Sequence, residues 1–421
     1  MQYKRINLKK YNLHIIKTKK FKTITIQINF KRKINKEELT KRRLLSYIFM
    51  ESSKKYPSRR VIDMEIEELY GLSLYSDVYM SGNYDIVSLK ETFLNEKYTE
   101  SGMNKRSILF LLEILLNPDV NNGEFSDYGF DLAKRMVKSN IDTFSDYPTS
   151  YSRKRALEVM DKKSSISLRN CGYIKDLNKI TKKELYNYYK DVIENDIIDI
   201  FVIGDINNAE IEELFKNNFT RKNDNVKSEK HDILIKKTNK EKIEKAKINQ
   251  SHLVMGCSVD LLDDFEKNYV LNVYSFILGG SGDSLLFQKV REENSLCYHI
   301  SSSYSIVVNY LSIYAGIDSK NYKKTVSLIK ECMQNMIDGN FDDSEIEKAK
   351  TIYKNSLIEL QDSQDSIIGN YLSHEYLNTD LIEDRMKKID LVTKEMVQEL
   401  GKRIHINITY LLDGGDTSEK V

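Results

Sequence analysis

The stretch GEFSDYGFDLAKRMVKSNI, residues 123–141, is similar to a later stretch, GNFDDSEIEKAKTIYKNSL, residues 339–357. A constant offset of 216 residues pairs identical residues: Gly123 with Gly339, Phe125 with Phe341, Asp127 with Asp343, Ala133 with Ala349, Lys134 with Lys350 and Lys138 with Lys354. Chance similarity between amphipathic helices is the alternative, but it does not explain a shared order of several elements. The chain is therefore predicted to contain an internal duplication.

Further elements recur in the same order on both sides of this match. ITKKEL, from Ile180, resembles VTKEMV, from Val392, and each precedes a helix and an apolar terminal strand. Apolar residues alternate in FKTITIQINF (21–30) and in LVMGCSV (253–259), which predicts a half-buried strand near the start of each half. These patterns predict an α+β fold of two tandem homologous domains, each a mostly antiparallel sheet with helices packed on one face.

The predicted boundaries follow from composition. Residues 1–220 form an N-terminal domain, residues 221–248 a linker, and residues 249–421 the homologous C-terminal domain. The linker is predicted because RKNDNVKSEKHD and KKTNKEKIEKAK are highly charged and contain little that could pack a core.

The overall composition is that of a globular protein: 421 residues, 40% hydrophobic, 30% charged, with a formal net charge of +2. This charge gives no reason to expect a nucleic-acid partner. The clusters Lys31-Arg32-Lys33 and Lys41-Arg42-Arg43 are interpreted as solvated surface. The four cysteines form no CxxC pair, and neither a signal peptide nor a membrane span is apparent. A cytoplasmic location without membrane association is expected.

The segment GGSGDSLLFQKVREENSLCYHISSS, residues 279–303, carries the candidate functional residues. Its glycines are expected to turn through positive φ and to let another backbone approach, although a plain helix C-cap remains the alternative. Arg291 supplies a fork of donors suited to carbonyls, and the Tyr298 hydroxyl could face an oxyanion. Considered without any resemblance, these residue types favour a surface position for Arg291 and a strand-core position for Tyr298. Neither a GxSxG elbow nor a phosphate loop is present.

With KKYPS (54–58) and the duplicated helices, this segment resembles the insulinase- and pitrilysin-type metallopeptidases, which include the mitochondrial processing peptidases. The resemblance covers nearly the whole chain. It implies that Arg291 and Tyr298 contact the substrate together with the loop residues Gly279, Gly280, Ser281 and Gly282.

Active members of this family bind zinc through an HxxEH motif on a helix and a further Glu on a later helix. The aligned stretch here is Arg43-Leu44-Leu45-Ser46-Tyr47, so both histidines and the glutamate are replaced. The later helix offers Asn140 or Ser139 at the third ligand position. The six histidines are never three to five residues apart, so no other helical pair is available. We expect no bound metal and no catalytic residue on this chain alone.

Family peptidases assemble four such domains around a closed chamber, and this chain supplies two. The resemblance therefore implies a non-catalytic, substrate-binding subunit of a heterodimeric peptidase, with zinc in a paralogue that carries HxxEH and an unfolded peptide as substrate. Similar zinc-site-lacking proteins occur beside active homologues in Gram-positive bacteria, some associated with 5-aminopentanol modification of elongation factor P. The alternative is a peptide-binding or scaffold pseudopeptidase, possibly homodimeric, with no role in cleavage.

Overall fold

The computed structural model describes residues 1–227, 237–260 and 263–415, and it groups them into two compact units. Over its described residues, the first unit comprises Met1–Thr143 and Arg169–Glu229, and the second comprises Phe144–Leu168 and Lys230–Val421. The segment 144–168 falls within the predicted domain 1–220 but belongs to the second unit. Residues 228–236 of the predicted linker lie outside the described residues.

The first unit is built on a six-stranded sheet. Its strands are β1 (Gln2–Asn7), β2 (Asn12–Lys17), β3 (Thr23–Lys33), β4 (Ser73–Ser81), β5 (Tyr84–Leu94) and β8 (Ile197–Gly204), with β6 (Val120–Asn121) and β7 (Glu124–Phe125) forming a separate hairpin. Its helices are α1 (Leu39–Ile48), α2 (Arg59–Glu68), α3 (Met103–Leu116), α4 (Asp127–Asp142), α6 (Ile174–Leu177), α7 (Lys182–Asn195) and α8 (Asn208–Asn218).

The second unit is built on a five-stranded sheet. Its strands are β9 (Lys240–Lys245), β10 (Ser251–Val259), β11 (Cys297–Ser305), β12 (Tyr310–Ile317) and β13 (Ile404–Asp413). Its helices are α5 (Pro148–Met160), α9 (Leu271–Gly279), α10 (Tyr322–Asp338), α11 (Asp343–Glu359), α12 (Gln364–Leu377), α13 (Ile382–Lys388) and α14 (Lys394–Gly401). Short π-helical segments, Glu266–Val270 and Phe287–Glu292, precede α9 and β11 respectively.

Strand order shows the duplication directly. The first sheet contains the order β4-β5-β3-β8-β2, and the second has β11-β12-β10-β13-β9. The last pair is parallel in each case, whereas the other pairs in these two orders are antiparallel. Helices α4 and α11 begin at Asp127 and Asp343, which the sequence match pairs. The predicted α+β class is confirmed.

Burial in β10 differs from the expectation of a half-buried strand. All nine of its residues are buried. Its core face, with Leu253 and Met255, packs against the helices of the second unit, while Val254 on the other face packs with Ala156 and Met160 of α5. Helix α5 therefore covers the second face of this sheet, which periodicity alone did not predict.

Strand β9 lies within the charged stretch predicted as linker. Its residues pair in parallel register with Ile408–Asp413 of β13. Apart from the half-buried Glu244, its residues are exposed, including Ile243. The strand forms because its backbone completes the sheet edge, whereas its side chains contribute little to the core.

Candidate functional site

The glycine-rich loop begins where α9 ends. A Cβ at Gly279 would lie 2.7 Å from the backbone nitrogen of Ser302 in β11, and one at Gly280 would lie 2.8 Å from Cα of Phe276. Close backbone approach is therefore confirmed at Gly279, but the backbone that approaches is the chain's own. The expected positive φ is wrong, because Gly279, Gly280 and Gly282 all have ordinary φ values.

The rest of the loop is a compact turn with an open side. The Ser284 hydroxyl donates to the carbonyl of Ser281 at 2.7 Å, and the Asp283 amide donates to the Ser281 hydroxyl at 3.3 Å. A Cβ at Gly282 would meet no atom of the described residues within 4 Å. Hydrogen bonds between its own residues hold the loop in shape, and there is open space beside Gly282.

Arg291 lies in the π-helical segment that follows this loop. Its guanidinium stacks on the ring of Phe287 at 4.5 Å, and its Nε lies 3.5 Å from a carboxylate oxygen of Glu292. The side chain is 41% exposed. Most of its donors are therefore available to a ligand, although the same geometry fits an ordinary surface arginine.

Tyr298 stands at a β-bulge between Cys297 and His299, on the edge strand β11. Its exposed fraction is 85%, the highest among the exposed large hydrophobic residues of the described chain. The alternative of a strand-core tyrosine is therefore wrong. Within the described residues, no hydrogen bond joins Tyr298 to Arg291.

The positions aligned with the family's zinc ligands meet in the first unit. Asn140 of α4 donates a hydrogen bond to the hydroxyl of Tyr47 on α1. Ser46 is buried, and its hydroxyl donates to the carbonyl of Arg43 at 2.8 Å. The structure thus brings these helices together as the alignment implies, but the side chains bond to the protein itself.

Arg43 is almost fully buried, with 7% of the residue exposed. Its Nη1 donates to Asp77 at 2.7 Å, its Nη2 to the carbonyl of Val78 at 2.8 Å, and its Nε to the carbonyl of Asn170 at 3.2 Å. All three guanidinium nitrogens are therefore engaged, and they tie α1 to the edge strand β4.

The neighbouring Arg42 belongs to a second buried network. Its Nη1 donates to Asp196 at 2.7 Å, and its Nη2 donates to the carbonyls of Phe30 and Asp85. Burial opposes its charge, but Asp196, Tyr188 and Asp85 together outweigh burial, and the pKa of Arg42 rises. Burial also raises the pKa of the Asp85 carboxyl to about 6, although Arg42 acts in the opposite direction.

These networks correct the interpretation of both basic clusters as solvated surface. Lys31, Arg42 and Arg43 are buried. Their acidic partners lie far away in sequence, so charge clustering alone gave no signal. A weak hint was available for Lys31, which lies inside an alternating apolar strand, where a solvated cluster is unexpected.

No group of three or more His, Cys, Asp or Glu side chains that could hold a metal occurs among residues 1–227, 237–260 and 263–415. One of the six histidines, His231, lies outside those ranges. Across the same described parts of the chain, no helix is long and apolar enough to cross a bilayer.

Comparison with known proteins agrees with this arrangement. Residues 179–353 match the family model described as Peptidase M16 inactive domain. The chain is 27% identical over 405 residues to the "Probable inactive metalloprotease YmfF" of Bacillus subtilis, covering 95% of each protein.

Solved structures share the fold over nearly the full chain. A conserved protein from Enterococcus faecalis V583 is 29% identical, with a TM-score of 0.91 and 99% of each chain covered. A peptidase M16 inactive domain from Pseudomonas fluorescens has a TM-score of 0.79 at 13% identity, with 98% of each chain covered. The predicted resemblance is confirmed: the chain is similar to inactive, peptidase-like proteins of the M16, or insulinase-type, family.

Proposed function

We propose that this chain is the substrate-binding, non-catalytic subunit of a two-chain zinc peptidase in the cytoplasm. A zinc-bearing paralogue with HxxEH supplies the metal and the water-activating glutamate. The loop Gly279–Gly282, Arg291 and Tyr298 hold an unfolded peptide next to that metal.

The observation that carries this proposal is the exposure of Tyr298. Burying an aromatic ring removes 150–250 Å² of surface from water, so an almost fully exposed tyrosine forgoes a large hydrophobic gain. Tyrosine is also favoured at binding surfaces because its ring packs and its hydroxyl donates. The other residues of the proposed site are also accessible: there is open space beside Gly282, and the side chain of Arg291 is 41% exposed.

The chemistry proposed for these groups is positioning and charge stabilisation. Arg291 donates to backbone carbonyls of the peptide, and the Tyr298 hydroxyl donates to the oxygen that becomes negative as zinc-bound water attacks. Neither side chain needs to transfer a proton. The paired enzyme therefore depends on this chain for orientation of the scissile bond.

Co-expression of the full chain with an HxxEH-bearing homologue from the same organism tests the proposal. The pair is expected to co-purify, to contain one zinc per pair and to cleave unstructured peptides, whereas this chain alone should bind no zinc and cleave no peptide. Light scattering on each sample measures the assembly. A stable homodimer that binds peptide, with no gain of cleavage on adding the homologue, would instead support the binding or scaffold alternative.

A further inference from the structure

Helix α5 carries three consecutive basic residues, and their surroundings differ. Arg155 is paired with Glu158 and Glu244, and the Lys154 ammonium donates to the carbonyl of Ile166 at 2.9 Å. Arg153 forms no ion pair with any carboxylate of the described residues. Arg153 therefore remains a cation without a neutralising acid.

Arg153 is held in a fixed position by aromatic and hydroxyl contacts. Its guanidinium carbon lies 4.7 Å from the ring centroid of Tyr314, and its Nη1 lies 3.3 Å from the hydroxyl of Ser303. A guanidinium has five N–H donors, so most remain available after this one contact. Stacking on the ring restrains the planar group and leaves its edge free.

The ring beneath Arg153 is itself anchored. The Tyr314 hydroxyl bonds to Nδ1 of His252 at 2.6 Å and to the hydroxyl of Thr149, one helical turn before Arg153, at 3.1 Å. Burial lowers the pKa of His252, which keeps its imidazole neutral at pH 7 and adds no charge to the cluster. The guanidinium is thus preorganised by an uncharged aromatic ring that is itself held by hydrogen bonds.

Arg153 contacts the same edge strand that carries the exposed Tyr298. Ser303 lies on β11, the same edge strand that begins near Tyr298. Five residues of extended chain span roughly 17 Å. Strand β11 carries no Lys, Arg, Asp, Glu or Pro, whereas the other sheet edges, β1, β4 and β9, each carry charged side chains. Charge and proline are the usual protections of an edge, and β11 lacks both.

We infer that Arg153 is a specificity residue that binds an acidic side chain of an extended peptide lying along β11. This inference rests on the proposed peptide-binding function and names the substrate class: unstructured peptides with Asp or Glu about four to six residues from the bond held near Tyr298. The carboxylate accepts two hydrogen bonds from the free edge of the guanidinium, a pairing that Lys cannot reproduce.

The test uses labelled, unstructured 12-residue peptides in which one Glu occupies successive positions, each with a Gln twin. Binding to the full chain is measured by fluorescence anisotropy, alone and with the zinc-bearing homologue. At one or two adjacent positions the Glu peptide should bind about tenfold more tightly than its twin, the strength of one charge-assisted contact. Arg153→Gln should abolish this preference without weakening the Gln peptide, and Arg153→Lys should retain only part of it.

Arg135→Gln is the matched control, because Arg135 is an exposed arginine on α4 of the first unit. It should keep the full preference for Glu. Peptide binding with no Glu preference, or a preference that survives Arg153→Gln, would overturn the role given to Arg153 and would leave the proposed function standing. Failure of every peptide to bind the wild-type chain and the pair would overturn the proposed function as well.

Discussion

The two units differ in the regions where the family resemblance places functional residues. At the aligned zinc positions of the first unit, Arg43 is 7% exposed and bonds to the protein through all three guanidinium nitrogens. At the loop signature of the second unit, Tyr298 is 85% exposed and the side chain of Arg291 is 41% exposed. The polar groups of the first region bond within the protein, whereas those of the second are exposed to solvent.

This difference is what the proposed division of labour between two chains requires. Polar groups that bond to one another stabilise the fold, but they have no donors left for a substrate. Exposed groups contribute little to stability and remain free to bind. Substitutions in the two regions should therefore affect different measurements.

The largest expected effect comes from rebuilding the zinc ligands in the first unit. The combination Arg43→His, Ser46→Glu, Tyr47→His and Asn140→Glu should bind one zinc per chain, because the side chains at positions 47 and 140 already meet. Metal analysis and calorimetric titration measure the stoichiometry. The same variant with Asn140 restored is the control and should bind much more weakly. A folded fourfold variant without zinc would show that these positions do not converge.

Removing Arg43 should cost the most stability. Arg43→Ala loses a pairing with Asp77 and two bonds to carbonyls, so the free energy of unfolding should fall by about 3 kcal/mol. The matched change Arg291→Ala should alter it by less than about 1 kcal/mol, since that side chain is substantially exposed. Urea denaturation compares the two. Equal losses would remove the distinction between the regions.

Two glycines of the loop should respond differently to an added methyl group. Gly279→Ala places Cβ against the backbone of Ser302, and overpacking of this kind costs about 2 kcal/mol. Gly282→Ala meets no described atom and has an ordinary φ, so it should be neutral or slightly stabilising. Thermal unfolding of both variants checks this. Equal destabilisation would show that the space beside Gly282 is filled.

The smallest effect is the loss of one hydroxyl. Tyr47→Phe leaves Asn140 without its acceptor and should destabilise the chain by about 1 kcal/mol. Tyr298→Phe should leave the melting temperature unchanged, because the hydroxyl of that exposed ring makes no hydrogen bond within the described residues. Calorimetry resolves the difference. Destabilisation by Tyr298→Phe would indicate a structural contact for that hydroxyl.

Sequence patterns predicted the elements that depend on local signals. The duplication and the strand with alternating isoleucines both follow from spacing and composition. The loss of the zinc ligands could also be predicted, because the replacement of a ligand is visible in the sequence without a structure.

Features that depend on remote partners could not be predicted in this way. Arg43 is buried because Asp77 and the carbonyl of Asn170 come from distant segments. Strand β9 forms in a charged stretch because β13 offers it a backbone edge. The exposure of Tyr298 depends on a bulge, which changes the alternation on which strand-face predictions rest.

Peptide cleavage by the reconstituted pair tests the central claim most directly. The variant Arg291→Ala/Tyr298→Phe, mixed with the zinc-bearing homologue, should assemble normally and reduce kcat/KM by at least about 100-fold, as expected for loss of an oxyanion donor. Arg43→Ala should leave kcat/KM within about threefold when measured well below its melting temperature. Full activity of the double variant would contradict the account.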